Sequence, residues 1–346
     1  MKISIGTNIK DGPWGGGNLF AINLRNFLTL NGHQVTTNLN DDDIDIILVT
    51  EPRKTSESSA FTHMDVKNYL NLVNSNALVM HRINECDERK GTNFVNKYII
   101  EANKIADYTV FVSTWLKNLY INQGMNAKNK QVLLAGASKD IFNSKNKAIW
   151  RNDEKIKIVT HHWGANWNKG FEIYSYLDSL LDKEYWKKIF QFTYIGNLPK
   201  NFKFKNATHL QPLSGKKLAN EIKNNHLYIT GSLNEPSGNH HIEAAQCGLP
   251  ILYIDSGGVK EYCEGFGVEY TIFNIEEKIE YVLKNYGQLS KQMDKYPFSS
   301  DLMSQEFLNL FLKMYKDRDF LINERKLEKS SFFEKKLYEI KRKLKN

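Results

Sequence analysis

One stretch, residues 226–258, constrains the fold of this chain more than any other. An apolar run, His226-Leu-Tyr-Ile-Thr-Gly231, is followed by Glu235-Pro-Ser-Gly-Asn-His-His-Ile-Glu243. Ser237, Gly238 and Asn239 are helix-start signals, and Gly248-Leu-Pro250 is a stop. A second apolar run, Ile251-Leu-Tyr-Ile254, then closes on Asp255-Ser-Gly257-Gly258. Strand, helix, strand with glycine at both turns is the repeating unit of an α/β sheet. Seven residues separate Glu235 from Glu243, which stand before and inside the helix. Helix-start amides attract anions, and a carboxylate early in the helix accepts hydrogen bonds from hydroxyls. Such strand ends are where α/β sheets hold nucleotides.

The chain has 346 residues. Single cores stop growing near about 250–300 residues, so two domains are expected. No apolar run approaches the roughly 18 residues of a membrane span. Met1-Lys-Ile-Ser-Ile5 enters a strand directly, without a signal-peptide pattern, and the expected location is cytoplasmic. The three cysteines, Cys86, Cys247 and Cys263, form neither a disulfide framework nor a metal spacing. A formal charge of +8 is read first as a Lys/Asn-rich surface; its alternative is attraction to anions. Basic residues are densest in Lys335–Lys345, where apolar residues recur at helical spacing. That tail suits peripheral contact with an anionic membrane, or an ordinary solvated helix.

The N-terminal third repeats the α/β theme. Lys2–Ile5 reads as a strand, Gly15-Gly16-Gly17 as a turn that lets backbone amides approach a ligand, and Asn18 as the cap of the next helix. The glycines lack the Gly-x-Gly-x-x-Gly spacing, which argues against a dinucleotide-dependent dehydrogenase. Asp41-Asp-Asp43-Ile-Asp45 runs straight into the apolar Ile46–Val49 and reads as a charged turn rather than a metal site. Ala77-Leu-Val-Met-His81 reads as a strand ending in a histidine. Arg82, Glu85 and Asp87 follow it, as binding residues or as a surface ion-pair cluster. His161-His162 has no third ligand to make a metal site.

The 235–261 segment resembles the retaining glycosyltransferases of family four, whose fold is GT-B. Eleven residues fit that signature in register: Glu235, Pro236, Gly238, Glu243, Ala244, Cys247, Gly248, Pro250, Gly257, Gly258 and Glu261. Ser237 stands where an aromatic is usual and Gln246 where Ala is common. Ala106–Ser113, Gln131–Phe142 and Phe192–Pro199 are similar to further family segments, so the likeness extends over about residues 1–316.

The resemblance implies two Rossmann-like domains facing an interdomain cleft. The expected boundaries are 1–145 for an acceptor domain, 155–300 for a nucleotide-sugar donor domain, 301–316 for a helix crossing back to the first domain, and 317–346 for a basic tail. It implies catalytic roles for His81 and Glu235. It implies donor contacts from Gly15, Gly16, Gly17, His162, Lys169, Gly196, Leu213, Gly238, Asn239, His240 and Glu243, with Glu243 on the ribose and Lys169 on the diphosphate. Arg82, Glu85 and Asp87 fall on the acceptor side. The family places an arginine in the loop after the strand Lys155–Thr160; here the loop reads His161-His162-Trp163-Gly164-Ala-Asn-Trp167-Asn168-Lys169-Gly170. His161 or His162 partly replaces that arginine, or the phosphate charge is met elsewhere.

The expected reaction is transfer of a sugar, with retention, from a UDP- or GDP-sugar to a glycan, lipid-linked or small-molecule acceptor. Neither a metal nor a further cofactor is expected, and nucleic acid is not an expected partner. The alternative is a non-catalytic nucleotide-sugar or glycan-binding protein on the same scaffold.

Overall fold

A computed structural model of the chain describes residues 1–10, 12 and 15–325. The chain divides into two compact units, one made of Met1–Leu134 with the segment from Met303 onward, the other of Ala135–Leu302. The first opens with β1 (Lys2–Ile5), α1 (Gly16–Leu30), β2 (Gln34–Thr36), β3 (Ile46–Val49), α2 (His63–Leu72) and β4 (Leu78–Ile83). It continues through α3 (Asp87–Lys90), α4 (Val95–Ala102), β5 (Tyr108–Phe111), α5 (Thr114–Asn122) and β6 (Lys130–Val132). The six strands are parallel and lie in the order β2-β1-β3-β4-β5-β6.

Parallel strands covered on both faces read as unbroken apolar runs, and β3, Ile-Ile-Leu-Val, is buried at every position. The two-residue period of a strand sorts these side chains into two cores. Ile46 and Leu48 join Ile3, Ile5 and Met80 on one face. Ile47 and Val49 join Val66, Leu70 and Val79 on the other. The acidic run before β3 is a charged turn: Lys2 Nζ reaches Asp43 at 2.6 Å and Asp41 at 3.1 Å, and Asp45 accepts the Lys2 amide.

Asn18 does not cap α1. The helix starts two residues earlier, with Gly15 at its N-cap. Asn18 is buried and clasps Lys10, accepting from its amide at 2.9 Å and donating to its carbonyl at 2.7 Å. A side chain committed to the preceding loop cannot also serve the first helical amides.

The second unit holds β7 (Ile156–His162), α6 (Phe171–Leu180), α7 (Glu184–Ile189), β8 (Phe190–Gly196), β9 (Thr208–Leu210) and α8 (Gly215–Lys223). It goes on to β10 (Leu227–Thr230), α9 (Asn239–Gln246), β11 (Ile251–Ile254), α10 (Val259–Cys263), β12 (Gly267–Tyr270) and α11 (Ile275–Gln292). These strands are also parallel, in the order β12-β11-β10-β7-β8-β9. From β7 the chain adds β8 and β9 on one side, then returns to add β10, β11 and β12 on the other. The β7/β10 boundary is therefore the topological switch point, where the carboxyl ends of two neighbouring strands diverge and leave a crevice.

The second unit begins at Ala135, earlier than the expected boundaries at 145 and 155. Ala137 donates to Phe298 O and accepts from the Ser300 amide, and the Ala135 amide donates to the Tyr262 hydroxyl. Lys147, between the two expected domain ranges, donates to Gly248 O at 2.7 Å. These partners are more than a hundred residues away, beyond the reach of local composition.

After α11 come α12 (Ser300–Lys316) and α13 (Arg318–Glu324). Met303, Phe307, Phe311 and Met314 form a helical stripe in the first unit's core. Phe307 sits edge-on to Phe20 with centroids 5.2 Å apart. Residues 317–325, expected to open a basic tail, are instead packed. Leu321 is buried, and the Arg325 guanidinium chelates the Asp107 carboxylate while donating to Ala77 O and Ser75 O. The tail beyond, 326–346, lies outside the described residues. No helix among the described residues is long and apolar enough to cross a membrane.

Candidate functional site

The switch point of the second unit gathers the polar residues that the sequence singles out. β7 is an interior strand, between β10 and β8, and its last three residues are Thr160, His161 and His162. All three are buried. Adjacent strand residues face opposite ways, and the two imidazoles diverge accordingly. His161 Nε2 meets Glu243 Oε2 in α9 at 2.9 Å. His162 Nε2 meets the Tyr174 hydroxyl in α6 at 2.7 Å. The Tyr228 hydroxyl of β10 supports His161 from behind, taking its backbone amide at 3.1 Å and lying 3.3 Å from Nδ1. Burial pushes the Tyr228 phenol well above its ordinary range, so it acts as a hydroxyl. An ionised carboxylate only accepts; His161 therefore presents Nε2–H to Glu243, and Tyr228 faces the other ring nitrogen.

The loop after β7 returns through a 3₁₀ turn, Trp167–Lys169, to α6. A Cβ at Gly170 would lie 2.6 Å from the Gly231 carbonyl carbon, and Gly170 has φ near +103°, so the two loops meet here only because glycine is present. Asn168 O accepts from the Leu233 amide at 2.8 Å across the same junction. The result places Lys169 Nζ 3.2 Å from Glu235 Oε2. Glu235 is buried, and its carbonyl accepts from the Gly258 amide at 2.8 Å, tying the second glycine turn to the site.

α9 begins at Asn239 with Gly238 as its N-cap and no side chain capping it. Gly238 has φ near +74°, and a Cβ there would lie 2.5 Å from His241 Cε1 and 2.9 Å from His240 Cε1. Two imidazoles thus lean on the turn that opens the helix. His240 Nε2 is 2.8 Å from Thr230 Oγ1, its ring centroid 4.4 Å from that of His162. His241 Nδ1 is 3.4 Å from His240 Nε2, while His241 Nε2 is buried without a hydrogen-bond partner. Burial, then the neighbouring imidazoles and Lys169, hold His240 well below its ordinary range. Burial lowers His241 to about 4, against an opposing pull from Glu235.

Lys169, Glu235, Gly238, His240 and Glu243 are thereby brought into one place with His161. His162 lies behind them, turned to Tyr174. Gly196 ends β8 against β7, where a Cβ would overlap the His162 carbonyl oxygen, and its own carbonyl accepts from His209. Asn239 is half-buried at the first helical position, and Leu213 is half-buried in the loop before α8. The sequence reading missed His241, Tyr174, Tyr228 and Thr230. The doubled His-His dipeptides at 161 and 240 were the available signal; the tyrosines gave none. Among the described residues no group of three or more ligand side chains is arranged for a metal ion.

The first-unit residues form no comparable cluster. β4 runs on through His81 to Ile83, so His81 is inside the strand rather than at its end. Its Nδ1 lies 2.9 Å from Asn103 Oδ1, and burial lowers it to about 4. Arg82 is buried over the Phe20 ring, 3.9 Å from its centroid. Asp87 accepts from Thr92 Oγ1 and from the amides of Phe94, Val95 and Asn96, so its carboxylate is spent on starting α4. Glu85 pairs with Lys90 at 3.3 Å. Gly15, Gly16 and Gly17 form the N-terminus of α1, with open space beside Gly15 and Gly17.

Two six-stranded parallel sheets with flanking helices, the second in doubly wound order with its polar cluster at the switch point, define the GT-B fold. Residues 197–298, which contain Glu235, His240 and Glu243, match the family model of glycosyl transferases group 1. HepE of Anabaena, solved in complex with UDP-glucose, superposes with a TM-score of 0.67 at 13% identity, covering 90% of this chain and 100% of that one. A glycosyltransferase from Rickettsia africae ESF-5 gives 0.66 at 14%, covering 91% and 99%. Sucrose-phosphate synthase from Thermosynechococcus elongatus gives 0.63 at 12%, also covering 91% and 99%. No curated protein matches the sequence.

Proposed function

We propose that this chain is a glycosyltransferase that moves a sugar from a nucleotide-diphosphate sugar to a carbohydrate or lipid-linked acceptor, with retention of configuration and without a metal. The observation that carries this reading is the juxtaposition of His161–Glu243 and Lys169–Glu235 at the switch point of the second unit. Breaking the anomeric bond gathers negative charge on the leaving diphosphate while the sugar becomes oxocarbenium-like. Donors fixed in advance where that charge develops lower the barrier most. Lys169 is the cation placed for this role, and the first amides of α9 add the positive end of a helix dipole. Glu243, held in one orientation by His161, accepts from ribose hydroxyls. Glu235 orients the donor sugar. HepE's complex with UDP-glucose favours a UDP-sugar as the first donor to try.

A thermal-shift screen of nucleotides and nucleotide sugars, followed by turnover assays, tests the reading. Stabilisation by one nucleotide class and its loss in Glu243→Ala are expected; no response to any nucleotide would sink it. One observation favours a second reading, a protein that binds without transferring. The segment before Lys169, from the end of β7 through the loop, carries His161, His162 and Trp163 and no arginine. Binding without turnover across donors and acceptors would select it.

A further inference from the structure

The proposed donor site has an unusual balance of charge. Its named side chains supply one lysine, Lys169, against two carboxylates, Glu235 and Glu243. One cation against two carboxylates leaves a diphosphate entering the cluster short of positive charge. A loop arginine would make up that shortfall, and none is present. His161 is not available for the task, because Glu243 and the Tyr228 hydroxyl face its two ring nitrogens. His162 is turned to Tyr174.

We propose that His240 supplies the missing counter-charge, taking up a proton from solvent as the donor's diphosphate binds and returning it when the nucleotide leaves. This rests on the glycosyltransferase reading and specifies how its donor is held. His240 is in the first turn of α9, leaning on Gly238, beside the amides assigned to the diphosphate. Around its ring are His161 and His162 from β7, Lys169 from the 3₁₀ turn, Tyr228 and Thr230 from β10, and His241 from its own helix. The carboxylates of the cluster, Glu235 and Glu243, are engaged by Lys169 and His161, and burial with the neighbouring imidazoles and Lys169 disfavours the charged ring, whereas a diphosphate beside it favours that form. The unpartnered His241 Nε2 beside it is a second sign that the cluster's polar complement is incomplete without a ligand.

The test is calorimetric titration of the full chain with UDP-glucose, and with GDP-mannose if the uridine donor does not bind, in buffers of low and high ionisation enthalpy. These donors carry no phosphate that titrates near neutrality, so any proton exchanged belongs to the protein. The binding enthalpy is expected to track the buffer's ionisation enthalpy with a slope approaching one proton taken up. Affinity should weaken by up to about tenfold per unit rise in pH. His240→Asn should abolish both dependences, with His240→Gln as the second variant should the first not fold. Binding without proton uptake in the unaltered chain overturns the proposal, as does undiminished uptake in His240→Asn. Should neither nucleotide sugar bind, the titration is run with the nucleotide sugar that stabilises the chain most in the thermal-shift screen, and no response to any nucleotide there removes the reading on which it stands.

Discussion

Each unit buries a histidine in an interior parallel strand, His81 in β4 and His161 in β7, and the two have different partners. His81 faces the Asn103 amide oxygen, a neutral acceptor that is itself held by Thr109. His161 faces the Glu243 carboxylate at the switch point. An imidazole sealed against an amide contributes to stability, whereas one bonded to a carboxylate at a strand end aims a group that can reach a ligand. A strand histidine is thus informative through its partner rather than its position.

That contrast can be broken in several ways. The largest effect is expected from Lys169→Ala, which removes the cation beside Glu235. Turnover should fall about 10²–10³-fold, or roughly 3–4 kcal/mol in the barrier, with the melting temperature nearly unchanged. Steady-state kinetics decide this, and an unaltered kcat would remove Lys169 from the reaction.

His81 should appear in stability alone. Its folded value, about 4, is below the unfolded value near 6.5, so the unfolded chain binds more protons between these limits. Its contribution is fully present above about pH 6.5 and is lost as pH falls toward 4, on the order of 3 kcal/mol in all. Denaturant titrations across this range should flatten in His81→Gln, while nucleotide affinity at neutral pH stays within about twofold. A weakened affinity would return His81 to the site.

Glu243→Ala should weaken nucleotide binding about ten- to a hundredfold, the usual range for losing hydrogen bonds to a charged group. The smallest effect belongs to His161→Leu. It removes the group that orients Glu243 but not Glu243 itself, so a three- to tenfold loss of affinity with kcat nearly constant is expected. A larger loss than in Glu243→Ala would mean that His161 touches the ligand directly.

Much of this was legible in the chain. Apolar runs such as Ile46–Val49 and Leu227–Ile229 announce strands buried on both faces, and the interval from Glu235 to Glu243, with Gly238 between, announces a turn into a helix at a strand end. The association of Lys169 with Glu235 follows once β7 and β10, the strands that precede them, are neighbours in one sheet. What escaped depends on distant partners. Asn18 looks like a cap until Lys10 claims its side chain. His81 looks like a strand end because the polar Arg82 follows it, yet Arg82 is covered by Phe20. The Arg325–Asp107 pair joins residues that no local pattern connects.

The wiring of the C-terminal helix has a consequence for biogenesis. The first sheet is translated early, but Phe307, Phe311, Leu321 and Arg325, which finish its core and clasp Asp107, are among the later residues to leave the ribosome. Every residue of Ala135–Leu302 emerges before them. The nascent chain therefore holds a finished second half while the half made first still waits for its closing piece, and a stop codon near residue 302 would orphan the beginning of the protein as surely as its end.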